Sequence, residues 1–197
     1  MNQHCAVHQA ASLLLHYPDE RWPARRALVI ESVGGLPGPA AEALLRFCRR
    51  TADLPLLDLA AQYVATFDRS GRCTLHLTHC TDGDTRRRGA SLAALKARYR
   101  QHGWEPADGE LPDHLPAVLE FAARCPDAGR AVLHEHRGAL DLLAAGLAAH
   151  GSPYLDVLRA VRATLPVVPT TPVRPNEPPA PVPYPLRRGG GDEGVRR

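Results

Sequence analysis

Residues 73–89, CTLHLTHCTDGDTRRRG, hold two cysteines, two histidines and three consecutive arginines. Leu75 and Leu77 alternate with polar residues, and Thr74 and Thr78 are β-branched, so the first half has strand character. No second strand-like run exists to pair with it, and a lone strand leaves its backbone donors and acceptors unsatisfied. The segment 73–80 is therefore expected to be helical, and the fold all-α. As a helix it places Cys73, His76 and Cys80 at i, i+3 and i+7 on one stripe, with His79 to one side.

Working outward, the neighbouring segments punctuate as helices. Residues 4–16 are periodic and stop before Tyr17-Pro18, and residues 20–33 end at Gly34-Gly35. Pro39 opens 39–51, and Pro55 opens 55–68, where Leu56, Leu59, Tyr63 and Phe67 recur at helical spacing. Asp84 is placed to cap 85–101, Asp113 to cap 114–124, and Asp127 to cap one long helix reaching about residue 149. Ser152-Pro153 reads as a cap and first turn for 152–165. These segments make one helical domain over 1–166. Beyond it, residues 167–197 are rich in proline, then glycine, then charge, and read as a disordered tail.

The composition bounds the function. Alanine and leucine dominate the apolar residues, as a helical protein requires. A formal charge of +3, from 24 basic and 21 acidic residues, is too balanced to imply a nucleic-acid partner. Five cysteines without a C-x-x-C pair argue against a disulfide framework, and no apolar stretch approaches a membrane span. A cytoplasmic protein with no membrane insertion is the expectation.

Three constellations carry chemistry. Cys73, His76 and Cys80 are zinc-ligand types, but a full tetrahedral set on one helix is geometrically poor, so no metal is expected; a metal-responsive binding protein is the alternative reading. Arg86, Arg87 and Arg88 lie in the first helical turn, where the macrodipole disfavours cations. In ELPDHLPAVLEFAA, residues 110–123, two prolines bracket Asp113 and His114 at a helix start. A small hydrolase built on that pair would need a nucleophile, and no G-x-S-x-G, Walker A or H-E-x-x-H motif is present.

The run YVATFDRSGRCTLHLTHCTDGDTRRRGASLAALKARYRQHGWE, residues 63–105, followed by ELPDHLPAVLEFAA, resembles the NarJ family. These are assembly chaperones, or delta chains, of respiratory nitrate reductase, within the wider TorD-like group. The match is densest from Tyr63 to Ala123; outside it the likeness is helix order and the early Leu14-Leu15-His16-Tyr17-Pro18 pattern. The resemblance implies an all-helical, non-enzymatic, cytoplasmic chaperone domain. It implies a partner, the nitrate reductase alpha subunit with its N-terminal segment, and a cofactor, bis-molybdopterin guanine dinucleotide, inserted into that partner. On this resemblance Tyr63, Phe67 and Leu75 are expected to wall a groove and Asp84, Arg86 and Arg88 to rim it. Asp113 and His114 form the family's polar motif. The family often carries aromatics, chiefly tyrosine, where His76, His79 and Cys80 stand, so the metal-like cluster reads as substituted packing or groove positions.

Overall fold

Helix α1 (Gln3–Leu15) is buried along most of its length, with Val7, Ala11, Leu14 and Leu15 fully enclosed. Its small residues let neighbours approach from several sides: α7 (Leu115–Arg124), α2 (Trp22–Val33), α3 (Pro39–Arg50) and α10 (Tyr154–Ala163) all pack on it. The computed structural model describes residues 3–69, 73–83, 85–107 and 109–166. Among them the fold is all-α, and the remaining helices are α4 (Leu56–Tyr63), α5 (Leu77–Asp82), α6 (Arg86–Gln101), α8 (Pro126–Glu135) and α9 (Arg137–Ala149). None is long and apolar enough to cross a membrane. Residues 167–197 lie outside the described residues, as does Asp84 with its expected capping role.

α4 runs into a π-helical turn, Val64–Asp68, which widens the backbone and brings Phe67 inward. The rings of Tyr63, Phe67, Tyr154 and Phe47 meet there: Phe67 lies 5.0 Å from Tyr154 and Tyr63 4.8 Å from Phe67. One aromatic cluster thus sits at the junction of α3, α4 and α10, and a second joins Tyr99, Trp104 and Phe121; at both, large rings bury more area than the prevailing alanines.

Three expectations change. The segment 73–80 is not one helix. Cys73 to His76 run non-helically, and His76 forms an isolated antiparallel bridge with His114. The Leu77 N–H donates to the Asp113 carbonyl at 3.0 Å and the Leu115 N–H to the Leu75 carbonyl at 2.8 Å. A proline-bracketed turn supplies the partner backbone, which a search for β-rich runs does not find. The stripe of Cys73, His76 and Cys80 is therefore broken, because only Cys80 is helical.

The long helix from Asp127 is two helices broken at His136, and Asp127 is 98% exposed, paired with Arg130 rather than capping. Leu133 and Leu140 stay seven residues apart across the break, so apolar periodicity gave no sign of it. α8 instead presses on α7 through Gly129, where an added Cβ would stand 2.2 Å from the Ala122 Cα. Finally, α10 begins at Tyr154, and the buried Ser152 hydroxyl makes no capping bond.

Candidate functional site

The polar centre of the molecule is Asp113, fully buried at the turn before α7. The neighbouring chain fixes this turn at both ends. The Tyr99 hydroxyl donates to the Pro112 carbonyl at 2.6 Å, and the Ser12 hydroxyl to the Pro116 carbonyl at 2.9 Å. Both prolines lack a donor but keep a strong acceptor, so α6 and α1 hold the turn by its carbonyls.

Asp113 does not cap α7. The N-cap position of α7 is His114, without a side-chain cap bond. The Asp113 carboxylate reaches across to α5 instead. It accepts from the Thr78 backbone N–H at 3.2 Å and from the Thr78 hydroxyl at 2.5 Å, in the first turn of that helix. It is thus a cap supplied from 35 residues away in sequence. Its other oxygen meets His76 Nδ1 at 3.2 Å, and Arg88 approaches to 3.9 Å. Burial pushes the Asp113 carboxyl up, but the hydrogen bonds from His76 and Thr78, with the charges of His76 and Arg88, outweigh it and hold the group below the usual carboxylate range.

His114 lies beside this network. Its Nδ1 meets Glu110 Oε1 at 2.7 Å, and an ionised carboxylate only accepts, so Nδ1 donates in this pair. Its ring tilts over that of His76, with centroids 5.3 Å apart. His16, at the end of α1, is close enough to feel both Glu110 and His114; burial pulls its pKa down. Next to it, Tyr17 is 51% exposed and lines a surface hollow with Leu57, Ala60, Ala61, Val64 and Arg69. A second, apolar hollow of about 270 Å³ opens between α1, α2 and α7, edged by Leu13, Leu28 and Val29.

The expected groove walls lie deeper than expected. Tyr63, Phe67 and Leu75 are all buried in the core, with at most 8% of each exposed. Tyr63 backs the Tyr17 hollow, its ring 5.5 Å from that of Tyr17. Arg86 is exposed at the start of α6, whereas Arg88 turns inward to Asp113. The structure joins Asp113, Arg88 and His76, and brings His114 alongside. Among the described residues no group of three His, Cys, Asp or Glu side chains is placed to hold a metal. Sequence reasoning missed Thr78, Glu110, His16 and Leu57. Only Leu57 left a usable signal: two adjacent leucines cannot both face inward on one helix, and Leu57 is 79% exposed.

The family described as nitrate reductase delta subunit matches residues 35–160. The chain belongs to the nitrate reductase delta subunit family. Among relatives of this delta-subunit chain, the nitrate reductase-like protein NarX of Mycobacterium tuberculosis is 41% identical over 159 residues, which are 80% of this chain but only 24% of that relative. A Bacillus subtilis protein assigned as the nitrate reductase molybdenum cofactor assembly chaperone NarJ is 37% identical over 161 residues, 79% of this chain and 86% of its own. The Escherichia coli chaperone NarJ is 38% identical over 120 residues, 59% of this chain and 51% of its own. A crystal structure assigned as a redox enzyme maturation protein from Archaeoglobus fulgidus shares the fold, with a TM-score of 0.60 at 21% identity over 81% of this chain and 92% of that one. The family match takes in α3 to α9 and most of α10, and so includes the whole Asp113 network.

Proposed function

We propose that this protein is a dedicated assembly chaperone of respiratory nitrate reductase and not an enzyme. It binds the apo catalytic (alpha) subunit, including its N-terminal segment, in the cytoplasm. It keeps that subunit competent to receive bis-molybdopterin guanine dinucleotide. The observation that carries this reading is the match to 86% of the length of the Bacillus subtilis protein named as such a chaperone.

The geometry supports it in two ways. An amphipathic helical segment docks by inserting apolar anchors into a hollow beside polar groups that fix its direction. The Tyr17–Leu57 hollow offers the first, and the half-buried His114, which shares the electrostatic neighbourhood of His16 beside Tyr17, is the polar group we assign to the second. Tyr63 and Phe67 support the hollow from behind, and Leu75 holds the bridge that positions His114. Arg86 is left on the surface for the rim role, and Arg88 acts through Asp113. The metal-responsive alternative is less well supported, since His76 is engaged by Asp113 and Cys73 is fully buried. The working unit is residues 1–166, so a chain ended before Pro169 keeps the activity.

The test is complementation of a chaperone-deleted strain, read as methyl-viologen-linked nitrate reductase activity and molybdenum content. The wild-type and shortened chains are expected to restore both. Leu57→Asp, at an exposed site, is expected to bind the alpha-subunit N-terminal peptide poorly while folding normally. Loss with Leu28→Asp instead would move docking to the α1–α2 hollow. No restoration by the intact chain would sink the chaperone reading itself.

A further inference from the structure

The three consecutive arginines that open α6 are not all absorbed by the Asp113 network. Arg88 turns to that carboxylate, whereas Arg86 and Arg87 are exposed. Residues 85–104 hold six of the chain's 24 basic residues and none of its 21 acidic ones, so the rest of the chain is net negative. Charge is thus segregated onto one helix. Two of the six cations are matched from outside it: Arg98 pairs with Glu135 at 2.8 Å and Arg100 with Glu105 at 3.0 Å. Among the described residues, Arg86, Arg87 and Lys96 have no ion-pair partner. Arg86 and Arg87 also stand in the first turn, where the helix dipole opposes a positive charge.

The geometry of α6 gathers these charges on one surface. The helix buries one side through Leu95 and Tyr99 and leaves the other uncovered. Arg86, Ala90, Ala93 and Ala97 fall at i, i+4, i+7 and i+11, a single stripe, and all four are exposed. Arg87 and Lys96 flank that stripe on opposite sides, and both are exposed. The middle of the face is therefore low and built of small side chains, and its edges are cationic. The exposed residues of α6 include no aromatic ring and no large apolar side chain.

We propose that this face of α6 docks an acidic helix of a protein partner. The alanines let a second helix approach to about the 8–10 Å axis separation of packed helices, and glutamates on either side of its contact stripe then reach Arg87 and Lys96. Charge complementarity selects this occupant. A second copy of the same face would set Arg86 against Arg86 or against Arg100, whichever way the helices ran. A bilayer surface needs large apolar side chains to insert, and single-stranded nucleic acid needs rings to stack on; the exposed residues of α6 supply neither. None of these residues lines the Tyr17–Leu57 hollow, so the proposal stands apart from where the alpha-subunit N-terminal segment docks.

The probe is a stapled, alanine-rich helical peptide about as long as α6, with glutamates on both sides of one alanine stripe. It is titrated against the full chain by fluorescence anisotropy at low salt. Saturable binding is expected, and its loss when glutamine replaces glutamate in the peptide. The triple variant Arg86→Gln, Arg87→Gln, Lys96→Gln is expected to weaken binding about tenfold, the scale of three exposed ion pairs. Ala93→Gln keeps every charge but holds the helices apart, and is expected to weaken binding about fivefold. All four positions are exposed, so thermal melts should be unchanged. Absence of saturable binding overturns the proposal. So does full affinity in Ala93→Gln, which would reduce the face to diffuse charge, or tighter binding of a single-stranded RNA or of phosphatidylserine vesicles than of the peptide.

Discussion

Asp113 and Asp156 are both sealed from solvent, yet their surroundings solve the same electrostatic problem differently. Asp113 is answered mainly by hydrogen-bond donors fixed in the fold: the Thr78 N–H and hydroxyl, and the His76 ring. Asp156 is answered by Arg46, Arg50 and Arg159, side chains that remain 44%, 47% and 53% exposed. For both, burial raises the carboxyl pKa and the bonds more than reverse it. The difference is in what remains when the carboxylate is removed. Around Asp113 the donors are locked in place, with Thr78 fully buried; around Asp156 the guanidiniums can turn to water.

Asp113→Ala gives the largest expected effect. It breaks a buried network and strands the Thr78 donors, so unfolding free energy should fall by about 3–5 kcal/mol. A loss of only ~0.5–2 kcal/mol in the urea midpoint would mean that Asp113 is a simple cap and that the two carboxylates are alike.

Acid should expose the same difference in sequence. His8 is buried, with Nε2 2.8 Å from the Thr164 hydroxyl, and burial pulls its pKa down to about 4. The unfolded chain therefore binds the extra proton first, and stability should fall from pH ~6.5 toward 4, by on the order of 3 kcal/mol at the lower end. The two depressed carboxylates contribute stability above their unfolded pKa, near 3.9, and lose it as pH falls further through their folded values. His8→Asn should make the upper window shallower, the remainder coming from His16 and His136, whose pKa values burial also lowers, and leave the lower one. A pH profile unchanged by that substitution would rule out His8 as the source.

Asp156→Ala should cost about 1–2 kcal/mol, because its three partners regain solvent. A loss equal to that of Asp113→Ala would erase the distinction. Arg159→Ala should be the smallest, within ~0.5 kcal/mol, since its exposed guanidinium is one of three. Thermal or denaturant melts of the two variants side by side measure both.

Much of the fold was legible locally. Proline at first turns and apolar spacing of three and four residues marked α1 to α3, α6 and α7 to within about two residues, and the start of α4, whose expected run to 68 turns π-helical after Tyr63, because these signals depend on neighbours in sequence. The break at His136 was not legible, since Leu133 and Leu140 keep helical phase through it. The quoted stretch at 73–89 was half legible: its β character survives at His76 as a single bridge, whose partner was a proline turn, while Leu77 already begins α5.

The site divides in the same way. The sequence alone determined an all-helical domain and the family, and it placed Asp113 and His114 side by side at a helix start. Tertiary structure decided that Asp113 caps α5 rather than α7, that His76 belongs to Asp113 rather than to a metal stripe, and that Tyr63, Phe67 and Leu75 lie beneath the surface. The physical reason is range. Helix propensity and caps are set by residues within one turn, whereas a buried charge is satisfied by whatever donors the packing brings to it, here from 35 and 37 residues away.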